Sequence, residues 1–246
     1  MTTKDNDEKQ FERIVPSERW VRAQFMGEYV VDSKRPLLVW EHDKYPTYFF
    51  PCEDVRMDLL SEAGQTSSRT FWNLTVNGSQ VERAAYHYPH QSDLEGYLTL
   101  QWHKMDRWFE EEEEVFVHAR DPFKRVDVMP SSRHVRVELD GVTVAETTQP
   151  SLLFETSLPT RYYIPAADVN MHYLTPTGSQ TQCPYKGTAS YWTVTAGDKV
   201  YRDLVWSYPN PIPECPKIEG LLCFFNEKVD LYVDQELQER PITDWS

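Results

Sequence analysis

No stretch of the chain is apolar over the roughly eighteen residues that a membrane-crossing helix needs. Residues 1–10 are charged and polar where a secretory signal would be hydrophobic. A cytoplasmic protein with reduced thiols is therefore expected, and the sequon-like Asn73 and Asn77 are read as chance matches. Cys52, Cys183, Cys215 and Cys223 form no CxxC pair, which argues against a structural zinc site or a disulfide framework. The seven histidines show no HxH or HExxH spacing, and no GxSxG, P-loop or GxGxxG occurs. Basic residues are scarce, 25 against 39 acidic, and the net charge of −14 opposes a nucleic-acid backbone or an anionic membrane as partner. A local basic pocket for a small anion stays open.

What the chain does hold is aromatic residues, eight Trp, fourteen Tyr and eleven Phe, and a repeat. Arg19, Val21, Arg22, Gly27 and Val30 recur 114 residues later as Arg133, Val135, Arg136, Gly141 and Val144. The same spacing carries Glu41 to Glu155, Tyr48 to Tyr162 and Asp54-Val55 to Asp168-Val169. It then widens to 120, taking Trp72 to Trp192 and Tyr88-Pro89 to Tyr208-Pro209, and to 124 for Glu95-Gly96 and Glu219-Gly220. So many ordered matches indicate a tandem duplication. The expected layout is a disordered tail over 1–16, a first repeat over 17–110 and a packed connector over 111–130. A second repeat over 131–236 and a tail over 237–246 complete it.

Both copies read as mainly β. Val135, Val137 and Leu139 alternate with polar residues before Asp140-Gly141, a two-residue hairpin signal. Asn77-Gly78 and Ala196-Gly197-Asp198 mark further hairpins, and a third in copy two is expected to pair 221–225 with 229–233 through Asn226-Glu227-Lys228. Short helical turns suit 165–174 and 213–220. Glu110 to Glu114 reads as a solvated acidic segment.

The first widening of the spacing separates the copies chemically. Copy two carries Cys183-Pro184-Tyr185-Lys186-Gly187 where copy one has Thr66-Ser67-Ser68-Arg69-Thr70, without thiol, phenol or lysine. Lys186 is either an exposed loop lysine or a group that neutralises a carboxylate or phosphate, or acts as a base if desolvation lowers its pKa. Cys183 is either a nucleophile or a small buried apolar residue. Glu155 and Arg161 flank a turn, as an ion pair or with Glu155 as acid/base beside Lys186. Tyr162, Tyr185, Tyr191, Trp206 and Tyr208 are core aromatics or the walls of a pocket. His87 and His90, around Tyr88-Pro89, would approach a ligand in copy one.

These residues resemble the DUF427 family in its tandem form. The likeness rests on Arg161-Tyr162-Tyr163-Ile164-Pro165, Asp168-Val169, Cys183 through Tyr191, Trp206-Ser207-Tyr208 and Glu219-Gly220, with a connector over 115–127. It implies a compact domain of two small sheets, of the Mss4-like or β-tent kind. Members of that group carry zinc on paired CxxC knuckles, which are absent here, so no metal and no cofactor are carried over. A nucleotidyltransferase label also attaches to the family, but no DxD or DxE follows Gly78-Ser79 or Gly178-Ser179 to hold a metal.

The function expected is metal-free acid/base chemistry on a small polar or anionic molecule in the second repeat, the first being a degenerate partner. Lys186, Glu155 and Cys183 are the catalytic candidates; Arg161, Tyr162, Tyr185, Tyr191, Trp206 and Tyr208 are the binding candidates. The alternatives are a non-catalytic module for a metabolite or peptide, and a scaffold presenting its acidic face to a basic partner. Substrate and oligomeric state are left open.

Overall fold

The structure is a computed structural model describing Phe11 and residues 13–246; the greater part of the tail expected over 1–16 lies outside the described residues. The chain forms two compact units, 1–121 and 122–246. Each is built of antiparallel sheets, with only short 3-10 turns between strands.

In the first unit, β1 (Ile14–Pro16), β2 (Val21–Phe25), β3 (Glu28–Ser33) and β4 (Leu37–Val39) come first. Then follow β5 (Thr47–Pro51), β6 (Leu60–Gln65), β7 (Thr70–Val76) and β8 (Ser79–His87). β9 (Tyr97–Leu100), β10 (Arg107–Glu110) and β11 (Glu113–Val115) complete it. A seven-stranded sheet runs β1-β4-β5-β9-β8-β7-β6 and a four-stranded sheet runs β11-β10-β2-β3.

The second unit opens with β12 (Val126–Pro130), β13 (Val135–Leu139), β14 (Val142–Thr147) and β15 (Ser151–Glu155). It continues with β16 (Arg161–Ile164), β17 (Leu174–Cys183), β18 (Gly187–Ala196) and β19 (Lys199–Ser207). β20 (Leu222–Phe224), β21 (Asp230–Val233) and β22 (Glu236–Leu237) end it. Its sheets run β12-β15-β16-β20-β19-β18-β17 and β14-β13-β21-β22, the same topology strand for strand.

Alternation along the strands explains the layering. In β13 Val135, Val137 and Leu139 are buried, and they pack with Val194, Val205, Leu222 and Leu231 between the two sheets. The other face of the seven-stranded sheet is also buried. Leu153, Tyr163, Trp206 and Cys223 meet Cys215 and Ile218 there, from the segment between β19 and β20. Val39, Phe49, Tyr86 and Leu94 form the matching cluster of the first unit. It is on this second face that the polar candidates gather.

The Asp140-Gly141 and Asn77-Gly78 hairpins form as expected, with positive φ at all four residues. The expected 221–225/229–233 hairpin does not. β20 pairs with β16 and β19, whereas β21 pairs with β13 in the other sheet, so Asn226-Glu227-Lys228 is a crossover between sheets. Residues 111–130 divide between the units, β11 pairing with β10 and β12 with β15. The acidic run is a hairpin whose charges are met locally. Glu110 is buried and accepts from the Tyr48 hydroxyl at 2.8 Å, while Glu113 and Glu114 pair with Arg120 and Arg107. Among the described residues no helix is long and apolar enough to cross a membrane.

Candidate functional site

In the second repeat β17 and β18 pair as far as Cys183 and Gly187, leaving Pro184, Tyr185 and Lys186 as the turn. Gly187 has a φ of +105°, and a Cβ there would meet the Asn210 carbonyl oxygen at 3.2 Å, so only glycine allows this approach. The Ile212 amide donates to the Lys186 carbonyl at 3.1 Å. Clamped this way, Lys186 is only 8% exposed, and its Nζ donates to Oε2 of Glu155 at the end of β15. Lys124 Nζ lies 3.2 Å from Oε1 of the same carboxylate. One buried carboxylate thus holds two ammonium groups, and the three groups together carry one positive charge.

Burial alone would push the Lys186 ammonium towards neutrality. Cys183 and Glu155 beside it outweigh that and raise its pKa above the usual lysine value of 10.5. The base role that desolvation would have opened to Lys186 is therefore closed; it is a fixed cation and hydrogen-bond donor. Cys183 is half-buried, and its carbonyl accepts the Lys186 amide at 3.3 Å. Tyr208 is buried, and its phenol is raised far above the usual range by burial, then by Cys183, Tyr191 and Glu155 nearby. Its hydroxyl makes no hydrogen bond among the described residues. Tyr191 shares a 2.7 Å hydrogen bond with Thr181, and the Tyr185 ring lies 5.6 Å from Lys124 Nζ. A hollow of about 260 Å³ bounded by Val126, Val128 and Lys217 reaches Cys215, which is also among the groups acting on Lys186.

The remaining candidates separate. The Glu155–Arg161 ion pair is not formed. Arg161 is buried on the same face but donates to Glu227 at 2.7 and 2.6 Å and to Asn226. Its guanidinium lies 5.5 Å from both the Trp206 and the Trp245 rings. The Trp206 indole N–H donates to the Tyr163 hydroxyl at 3.1 Å. Tyr162 points to the opposite face of β16, packed on the core between the sheets. Lys186, Glu155, Cys183, Tyr185, Tyr191 and Tyr208 are thus brought together, Arg161 and Trp206 adjoin them as a structural pair, and Tyr162 stands apart.

The first repeat, expected to be degenerate, has a version of its own. Glu41 occupies the place of Glu155 and accepts from the Tyr86 hydroxyl at 2.6 Å, from Tyr88 and from Arg69 at 3.2 Å. Arg69 supplies the cation from the very segment that lacks a lysine. Neither His87 nor His90 joins it; the Trp72 indole N–H meets His87 Nδ1 at 3.2 Å, and burial lowers that imidazole's pKa. Among the described residues no three His, Cys, Asp or Glu side chains gather to hold a metal ion.

The model of the domain of unknown function DUF427 matches residues 13–111 and again 127–235. The chain belongs to the DUF427 family. Both matches coincide with the units seen in the fold, so the duplication is of whole DUF427 domains. No curated protein matches the chain.

Proposed function

We propose that the second DUF427 domain binds a small polar or anionic molecule at the Lys186–Glu155–Lys124 cluster and carries out acid/base chemistry on it. The observation carrying this reading is the excess positive charge that two ammonium groups leave on one buried carboxylate. Lys186 fixes the anionic group and Glu155 exchanges the proton. The Tyr208 hydroxyl donates at the rim, Cys183 borders the reacting atoms, and Tyr185 and Tyr191 form walls. No metal or cofactor is called upon. The partner is a small molecule rather than a nucleic acid or membrane, consistent with the net charge of −14. A cytoplasmic setting accords with four free thiols, and the two-sheet units accord with the Mss4-like or β-tent kind.

The second reading is a non-catalytic binding module, favoured by the raised pKa of Lys186, which makes the lysine a receptor and not a base. Native mass spectrometry of freshly purified protein tests the site. Wild type is expected to carry a small-molecule mass that Lys186→Met and the milder Lys124→Gln lose. Full retention of that mass in both variants overturns the proposal. Return of the captured molecule unchanged after incubation selects the binding module over the enzyme.

A further inference from the structure

The first DUF427 domain contains a cavity of about 650 Å³, within the range of small-molecule sites. It opens where the second domain is filled. Thr47, Trp102 and His103 line it, and the repeat spacing places Arg161, Asn226 and Glu227 at the equivalent positions of the second domain. There the Arg161–Glu227 ion pair, with Trp245 against it, takes up the space. Without that pair the first domain keeps the hollow.

Its walls are flat rings. Trp102 stacks on Trp108 at 4.5 Å with 7° between planes, and Tyr45 stacks on His118 at 4.2 Å, also at 7°. Its polar end is Arg69. The guanidinium is pinned by Nε and one Nη to the Tyr88 hydroxyl at 3.0 and 2.7 Å, and by that Nη to Glu41. The other nitrogen, Nη1, makes no hydrogen bond among the described residues and keeps two N–H donors. Glu41 is already met by three donors, so it positions Arg69 and is not available as a receptor for a ligand cation.

We propose that this cavity binds a planar aromatic carboxylate, its ring against Trp102 and Tyr45 and its carboxylate on Arg69 Nη1. A held guanidinium with a spare charged nitrogen suits a carboxylate oxygen, and stacked aromatic walls suit a flat ring. This site is separate from the Lys186 cluster and stands without it.

The test uses the full chain and indole-3-carboxylate, followed by saturation-transfer NMR and by quenching of tryptophan fluorescence. Saturable binding is expected, weakened about tenfold or more in Arg69→Met and about fivefold in Tyr45→Ala. Arg69→Lys, which keeps the charge, is expected to hold part of the affinity, and Lys199→Met, on the exposed β18–β19 hairpin, all of it. Should Arg69→Met fail to fold, Tyr45→Ala on the cavity wall decides. No saturable binding, undiminished binding in Arg69→Met or in Tyr45→Ala, or benzylammonium binding as tightly as indole-3-carboxylate would overturn the proposal.

Discussion

The two DUF427 domains place a glutamate at the same point of the same sheet and then treat it differently. The Glu41 side chain is itself buried but is held by two phenols and one arginine that is a third exposed, beside a cavity. Glu155 is held by two lysines in a buried setting, and the equivalent of the cavity is occupied by Arg161 and Glu227. The position of the carboxylate follows from the matching strands that lead to it, β15 ending at Glu155 and β4 two residues before Glu41. A counter-charge comes from the hairpin that follows, β6–β7 in one domain and β17–β18 in the other, where a six-residue difference exchanges arginine for lysine. Lys124, ahead of β12, adds a second in the second domain. A duplicated frame thus keeps its anion and varies its cation.

The largest effect that would separate the domains is expected at Arg161. Replacing it with Met leaves Glu227, fully buried, without its partner, at a cost of roughly 4 kcal/mol. Chemical denaturation should show that loss in the second domain alone, and the Arg161→Met/Glu227→Met double variant should recover most of it. Lys186→Met comes next, at about 3 kcal/mol, because Lys124 still holds Glu155. Arg69→Met in the first domain, a third exposed and screened by solvent, should cost only about 1 kcal/mol. If Arg69 and Lys186 prove equally costly, the contrast between the domains is lost. Gly187→Ala should cost about 2 kcal/mol through its φ and the contact with Asn210, read as a fall in melting temperature.

Stability should also depend on pH differently in the two domains. Lys186 has a raised pKa in the folded state, so its contribution is complete below the usual 10.5 and is lost as pH rises through the folded value. The guanidinium of Arg69 does not titrate there, so alkaline loss should fall on the second domain first. Burial would raise the Glu227 carboxyl, but hydrogen bonds from Arg161 and Thr243 hold it below the usual 4.5. Its contribution is therefore present above 4.5 and disappears as pH falls through the lower folded value. Denaturation midpoints between pH 3 and 5 should fall in wild type more steeply than in the Glu227→Gln variant. The smallest effect belongs to the exposed pair of Lys199 and Asp140 on the β18–β19 hairpin, where Lys199→Met should leave the denaturation midpoint unchanged.

Much of this frame was legible in the chain. Matched spacings of 114, 120 and 124 correspond to strands that pair identically in both units, and Asp140-Gly141 and Asn77-Gly78 turn where they should. Lys186 was also visible in a segment peculiar to one copy, and it meets the Glu155 expected beside it. Other parts were hidden for definite reasons. Arg69 stands in the segment that replaces 183–187, and its partners Glu41 and Tyr88 lie 28 and 19 residues away, so only the fold reveals it as the counterpart of Lys186. Arg161 chooses a glutamate 66 residues away because the chain crosses between sheets at Asn226-Glu227, a step that a hairpin reading of 221–233 conceals. Tyr162 and Tyr163 are adjacent, and only the parity of β16 decides that Tyr163 faces the site and Tyr162 the core between the sheets. Glu110 looked like surface charge because a run of five glutamates does not show which one a tyrosine and an arginine will bury.

The central claim is that Lys186 is a permanent, buried cation on Glu155, and side-chain nitrogen NMR of Nζ followed through an alkaline titration tests it most directly. The account predicts that the Lys186 ammonium signal persists beyond pH 10.5, after the exposed lysines have lost theirs. Loss of that proton below 10.5, or exchange with water as fast as at the exposed lysines, would contradict it.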